Sequence, residues 1–160
     1  GCLVLAGVLL VPPASAAAVA CSTPWGSTAK SDLTMRKGEV DTLRAGRHAC
    51  FDRFVIQTDG PVGGYDVRYV SQITQDGSGF VVPTLGAGKR LQVIVRNPNF
   101  SPKPLPSVAG FTTFRQIVDA GSFEGQTTYG IGLRNGPLPM RVIVLQGAHG
   151  RLVVDVAHKW

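Results

Sequence analysis

Short runs with a period of two dominate the sequence from residue 51 onward. In LQVIVRN (residues 91–97) the apolar side chains occupy alternate positions, and QTTYGIGLRN (residues 126–135) repeats the pattern. Such alternation of β-branched and aromatic residues is typical of strands with one buried face. Turn signals such as DGSG (residues 76–79) and NG (residues 135–136) separate the runs, so each strand must be short.

The spacing of these runs predicts eight or nine short strands, counted from the alternation described above. No helical pattern of about 10–15 residues recurs between them, which argues against βαβ units. The 160 residues include 20 glycines and 11 prolines, more helix breakers than a helical bundle usually carries. We therefore expect one all-β domain with little helix, either an antiparallel β-sandwich or a partly open barrel.

Three features of this region leave alternatives open. Gly130 and Gly132 interrupt the run YGIGL, which indicates a bulge or a place where another backbone or a ligand comes close. The segment at residues 97–111 carries four prolines and predicts a long surface loop, a kind of loop that is often functional. The following segment, residues 112–123, fits either a short helix or another strand.

The N-terminal segment, residues 1–20, has no charged side chain. An apolar run at residues 2–11 is followed by two prolines and by the small-residue patterns ASA and AVA. This order is typical of a secretory signal peptide, here with its charged n-region apparently missing. The run is shorter than the roughly 20 residues that a transmembrane helix needs. We expect cleavage of residues 1–20 and a secreted, extracytoplasmic protein of the cell envelope.

The positions of the cysteines are consistent with secretion. Removal of the signal peptide would leave Cys21 and Cys50, and an even number in an oxidising compartment favours a disulfide. That bond would tether an N-terminal arm, residues 21–42, to the rest of the chain. The alternative is a lipoprotein acylated at Cys21, which would place the protein on a membrane and leave Cys50 unpaired. The residue three positions before Cys21 is then usually leucine, and here it is Ala18.

The stretch RHACFDRF (residues 47–54) has the residue types of a nucleophilic site. His48 and Cys50 would share one face of a strand, as a base and a thiolate would need to. A disulfide sulfur is no nucleophile, however, so the structural interpretation is favoured. Asp52 and Arg53 are adjacent and should face apart, so we expect each to meet a partner on a neighbouring strand.

The sequence contains no motif typical of a zinc site, a hydrolase active site or a nucleotide-binding site. The three histidines, His48, His149 and His158, form no clustered zinc motif. The ten acidic residues are scattered, without the paired carboxylates or triad of a hydrolase. The sequence also lacks glycine-rich nucleotide-binding motifs. We therefore predict no catalytic residue, no metal and no cofactor.

The net charge of +6 favours an anionic partner, and secretion argues against nucleic acid. Eleven of the sixteen basic residues are arginines, whose guanidinium groups suit carboxylate and phosphate recognition. The alternative is a solvated outer face whose charges discourage pairing between sheet edges. The candidate binding residues are Arg53, Arg68, Arg96, Arg134 and Arg141.

A set of motifs in fixed order resembles a known family. The motifs GRHACFDR, GYDVRYV, DGSG, GSFEGQTTYGIGLR and LVVDVAH are similar to those of the AMIN-like domain found in secreted and lipid-anchored proteins of actinobacteria. The resemblance covers residues 43–160. The upstream CSTPWGS is similar to a subset of the family, which supports the pairing of Cys21 with Cys50.

The resemblance implies a function as well as a fold. The family takes its name from the AMIN domain, a non-catalytic β-sandwich that precedes cell-wall amidases and secretins and targets them to peptidoglycan or the division septum. The resemblance implies no catalytic residue in this chain. We expect a secreted, non-catalytic envelope module that binds peptidoglycan or an associated anionic wall polymer through a basic strand face and the proline-rich loop. The alternatives are a protein–protein interaction module and a carrier of a small ligand or lipid. The oligomeric state is left open.

Overall fold

The computed structural model describes residue 1 and residues 16–160. Most of the predicted signal peptide therefore lies outside the described residues. The described part contains eleven strands and no helix, so it has no helical segment long and apolar enough to cross a membrane. The strands are β1 (Lys30–Asp32), β2 (Val40–Arg47), β3 (Phe51–Thr58), β4 (Tyr65–Val70), β5 (Ile73–Thr74), β6 (Val81–Val82), β7 (Arg90–Val95), β8 (Phe114–Phe123), β9 (Gln126–Leu133), β10 (Met140–Leu145) and β11 (Arg151–Ala157).

Two large antiparallel sheets make up the domain. One has five strands in the order β1-β4-β7-β9-β8, the other has four in the order β10-β11-β3-β2, and β5 pairs only with β6. Each large sheet ends in two edge strands, so the predicted antiparallel sandwich is confirmed and the sheets do not close into a barrel. Strands β1, β5 and β6 have two or three residues each, too few to show alternation, which explains why the sequence predicted only eight or nine strands.

The alternation in sequence becomes the core of the sandwich. Leu91, Val93 and Val95 on β7 are fully buried, as predicted. Across the interface Phe54 on β3 meets Tyr129 on β9 edge to face, with ring centroids 5.7 Å apart. Twenty buried side chains from both sheets and from the segments that connect their strands form one continuous cluster, so side chains fill the space between the sheets.

Strand β9 is buried on both faces, which its glycines make possible. The segment that contains the β5–β6 hairpin crosses the outer face of the five-stranded sheet. A Cβ on Gly130 would press into the side chain of Ile73, and one on Gly132 would overlap the carbonyl oxygen of Leu85. Gly132 therefore marks the close approach of another part of the backbone, one of the alternatives that the sequence left open, while Gly130 makes room for the side chain of Ile73.

The proline-rich loop joins the two sheets along one side. Its Pro98 carbonyl accepts a hydrogen bond of 2.8 Å from the backbone N–H of Val40 at the start of β2. Farther along, the Gly110 carbonyl accepts one of 2.9 Å from Arg47 at the end of β2. The next segment forms strand β8 and not a helix, since it pairs with β9 along most of its length.

The N-terminal arm is fixed to the four-stranded sheet. Cys21 and Cys50 form a disulfide with their Cα atoms 5.4 Å apart, which confirms the predicted pairing. The same sulfur of Cys21 is therefore not available for a lipid thioether. Trp25 lies under the guanidinium of Arg141, whose Cζ is 4.4 Å from the ring centroid, and the Gly26 carbonyl accepts a hydrogen bond from Met140.

Replacing Gly132 with alanine should lower the free energy of unfolding by about 1–3 kcal/mol, because the new methyl group must displace the backbone at Leu85. Gly46→Ala is a matched control on β2, where the added Cβ would meet only the His48 Nε2 at 3.5 Å. Thermal unfolding followed by circular dichroism compares the two. Equal effects would contradict the proposed close approach.

Candidate binding surface

Asp52 is a fully buried carboxylate at the point where β3 begins. Its Oδ2 accepts hydrogen bonds from the backbone N–H groups of Thr113 (2.6 Å) and Phe114 (2.9 Å). Its Oδ1 lies 3.2 Å from Nε2 of His158. Because Phe114 begins β8 in the other sheet, this one carboxylate ties the two sheets together. Both of its oxygens are engaged in structural contacts.

Asp155 is the second buried carboxylate at this end of the sandwich, on β11 between β3 and β10. Arg53 binds it with two hydrogen bonds of 2.6 and 2.9 Å, and Arg141 adds one of 2.8 Å. The hydrogen bonds to Asp155 raise the pKa of Arg53 above its usual value. The expectation of a partner on a neighbouring strand is confirmed for Arg53, whereas Asp52 finds its partners at the start of β8 in the other sheet and at His158 after β11. Two guanidinium groups share one carboxylate, so the cluster keeps one positive charge.

Aromatic rings cover this charged row. The ring of Phe51 stacks on His48 with centroids 4.5 Å apart and meets Trp25 edge to face at 5.7 Å. The guanidinium carbons of Arg53 and Arg141 lie 5.2 and 5.3 Å from the Phe51 centroid. His48 therefore stacks on a ring, while Cys50 is held in the disulfide. The nucleophile-like stretch is a packed strand entry.

The predicted arginines do not share one face. Arg53 and Arg141 lie on the four-stranded sheet and are paired with Asp155. Arg68 lies on β4 of the five-stranded sheet and is paired with Asp66 two residues earlier. These three guanidinium groups are thus partly neutralised by the protein itself.

The other two predicted arginines hold loops. Arg96 donates to the carbonyl of Asp32 at 3.2 Å and to the side chain of Gln126 at 2.9 Å. Arg134, exposed just after β9, donates to the carbonyl of Phe111 at 3.2 Å. The five residues are therefore distributed over both sheets, and their role in binding stays a prediction.

A different group of basic side chains does converge. Arg47 at the end of β2 and Arg134 after β9 donate to the carbonyls of consecutive residues, Gly110 and Phe111. Arg115 follows the residue whose N–H binds Asp52. We call this end of the sandwich the basic end, and its exposed cations are Arg47, Lys89, Arg115, Arg134 and Lys159.

The carboxylates are distributed in the opposite way. Only Asp52 and Asp155 lie near the basic end, and both are fully buried. The other acidic side chains lie toward the far end, where β4 and β9 begin and β3 and β8 end. They are Asp32, Glu39, Asp41, Asp59, Asp66, Asp76, Asp119 and Glu124. The net positive charge of the chain is therefore concentrated at the basic end, because the cations elsewhere are offset by these carboxylates.

Sequence reasoning found Arg134 but missed Arg47 and Arg115. Each of the three lies beside a strand terminus: β2 ends at Arg47, β8 begins at Phe114, and β9 ends at Leu133. In an antiparallel sheet, one strand starts at the same end of the sheet where its neighbour stops. The sequence signal for the basic end was therefore a basic residue beside each of these strand termini. Only the strand order shows that the three termini lie together.

Two packed antiparallel sheets define the protein as a β-sandwich domain. The family model of the AMIN-like domain matches residues 38–158, a range that runs from just before β2 through β11. The chain belongs to the AMIN-like domain family, as its motifs indicated. Searches of curated proteins and of solved structures found no match. Membership in this family suggests a cell-envelope module, and the disulfide is consistent with an extracytoplasmic location.

Asp52→Ala should lower the free energy of unfolding by about 2–4 kcal/mol, because two buried N–H groups would lose their acceptor. Asp52→Asn keeps one carbonyl oxygen for those N–H groups and should retain most of that stability. Urea unfolding of the two variants measures the difference. An alanine variant as stable as the parent protein would contradict the sheet-joining role of Asp52.

Proposed function

We propose that the protein is a secreted, non-catalytic module that binds an anionic polymer of the cell wall through its basic end. The observation that carries the proposal is the separation of charge. The exposed side chains of Arg47 and Arg134 hold the turn at Gly110 and Phe111, and the carboxylates at this end are buried. A surface of one sign attracts a polyanion and raises its rate of association.

The arginines at this end keep donors for a ligand. Arg47 uses Nη1 to hold the Gly110 carbonyl, and Arg134 uses Nε to hold that of Phe111. A guanidinium carries five N–H donors, so each group retains several that face solvent. Their anchored position lowers the entropy lost on binding phosphate or carboxylate groups along a polymer.

The non-catalytic part of the proposal rests on groups that are already occupied. Cys50 is held in a disulfide, and Asp52 has both oxygens in structural contacts. Asp155 is held between two arginines. The side chains that looked most reactive in the sequence thus have structural partners.

The alternatives receive unequal support. The filled interior disfavours a carrier with its cavity between the sheets. A protein–protein interaction module is the second candidate, because the hairpin region exposes large apolar side chains, Phe80 (72%), Val81 (52%) and Leu85 (56%). Exposed apolar groups of this kind often mark contacts between proteins.

Sedimentation with purified cell walls tests the proposal. The variant Arg47→Gln/Arg115→Gln/Arg134→Gln should bind about tenfold more weakly, since three exposed ionic contacts of about 0.5 kcal/mol each add up to that factor. The matched control Lys37→Gln/Arg44→Gln/Arg151→Gln removes the same charge away from the basic end and should lose far less affinity.

Salt and wall composition complete this experiment. Binding by an exposed basic surface should weaken as ionic strength rises, because salt screens such contacts. Walls stripped of their anionic polymer should bind poorly. Equal losses in the two triple variants, or equal binding to stripped and intact walls, would overturn the proposal. Phe80→Ser should leave wall binding unchanged, which separates the second candidate from the first.

A further inference from the structure

A cleft of about 330 Å³ opens at the far end of the sandwich, away from the basic end. It lies between the β1 and β4 side of the five-stranded sheet and β10 of the four-stranded sheet. Polar and apolar side chains line it together, chiefly Asp32, Thr34, Arg36, Val62, Tyr65 and Val144.

Local contacts fix the walls of this cleft. The side chain of Gln146 binds both backbone groups of Val62, accepting from its N–H at 2.9 Å and donating to its carbonyl at 3.1 Å. The N–H of Gly63 donates to Oδ1 of the buried Asn97 at 2.6 Å. At Gly64 an added Cβ would overlap the carbonyl oxygen of Asp32. The segment after β1 therefore lies directly against the start of β4.

Several polar groups in the cleft keep hydrogen-bonding capacity. Asp32 uses Oδ1 to accept from the N–H of Thr34 at 2.8 Å, and its side chain is exposed to solvent. The hydrogen bonds from Thr34 are the main cause that lowers the pKa of Asp32, and the charges of Arg36 and Arg96 lower it further. Within residues 16–160, the side chains of Arg36 and Tyr65 have no hydrogen-bond partner.

We propose that this cleft binds a short peptide that carries both a free ammonium group and a free carboxylate. Asp32 supplies the partner for the ammonium group, and Arg36 supplies the partner for the carboxylate. Val144 and the ring of Tyr65, which are only partly buried, contact the aliphatic part. The volume lies at the lower end of the range for small-molecule sites, which suits a dipeptide. This site is independent of the wall-binding function proposed for the basic end.

Titration with the dipeptide alanyl-alanine, followed by backbone amide shifts in nuclear magnetic resonance spectra, tests the proposal. Saturable shifts should occur at residues 32–36, 62–65 and 144–146. Acetylating the amino end or amidating the carboxyl end of the dipeptide should each weaken binding about twofold to fivefold, because each cap removes one ionic contact with an exposed side chain. Free alanine in a parallel titration shows whether the second residue contributes to binding.

Single variants assign the two ends of the ligand. Arg36→Gln should abolish the preference for the free carboxylate over the amide while keeping the preference for the free amine. Asp32→Asn should do the reverse, and its amide oxygen can still accept from Thr34, which protects the local fold. Lys37→Gln is the matched control and should change neither preference.

The proposal would be overturned by unsaturable or absent shifts in the parent protein, or by equal affinity for the capped and uncapped dipeptides. A loss in Lys37→Gln as large as that in Arg36→Gln would overturn it too. None of these results depends on wall binding, since Arg47→Gln/Arg115→Gln/Arg134→Gln should bind the dipeptide as the parent protein does.

Discussion

The hydrogen bonds to Asp52 hold the two sheets together at one end and also determine the charge of that end. A buried carboxylate is stable only when donors surround it, and the start of β8 supplies two N–H groups for this purpose. Asp155 is buried in the same region between two arginines. Because both acidic groups are withdrawn from solvent, the surface there is formed by cations. A structural requirement of the fold thus produces the feature on which the proposed function rests.

Segments of the chain itself cover much of the outer faces of the sandwich. The segment that contains the β5–β6 hairpin lies across β9, where Gly130 and Gly132 admit it, and the arm with Trp25 lies over Arg141 on the other sheet. These contacts make the broad sheet faces poor candidates for binding an extended polymer. The two ends of the sandwich remain, one basic and one with the mixed charges of the Asp32 cleft. The ends of the strands are therefore the surfaces that the fold leaves open for binding.

The sequence predicted what depends on neighbours along the chain and missed what depends on strand order. Alternation at Leu91, Val93 and Val95 specified a buried strand face, and cysteine parity predicted the bond between Cys21 and Cys50. The convergence of Arg47, Arg115 and Arg134 follows from the pairing of strands far apart in sequence, which local periodicity does not encode. The glycines of β9 predicted a close approach, but only the fold showed that the approaching groups are the side chain of Ile73 and the backbone at Leu85. Arg53, predicted as a ligand-binding residue, has its internal partner on β11, 102 positions away.

The central claim is that the basic end is the surface that meets a polyanion. Titration of the isotope-labelled protein with soluble poly(glycerol phosphate) tests it most directly, with backbone amide shifts as the readout. We expect saturable shifts confined to residues 47–48, 89–90, 110–115, 134 and 159, with an affinity that falls as salt is raised. Shifts centred on the Asp32 cleft, or an affinity that salt leaves unchanged, would contradict it.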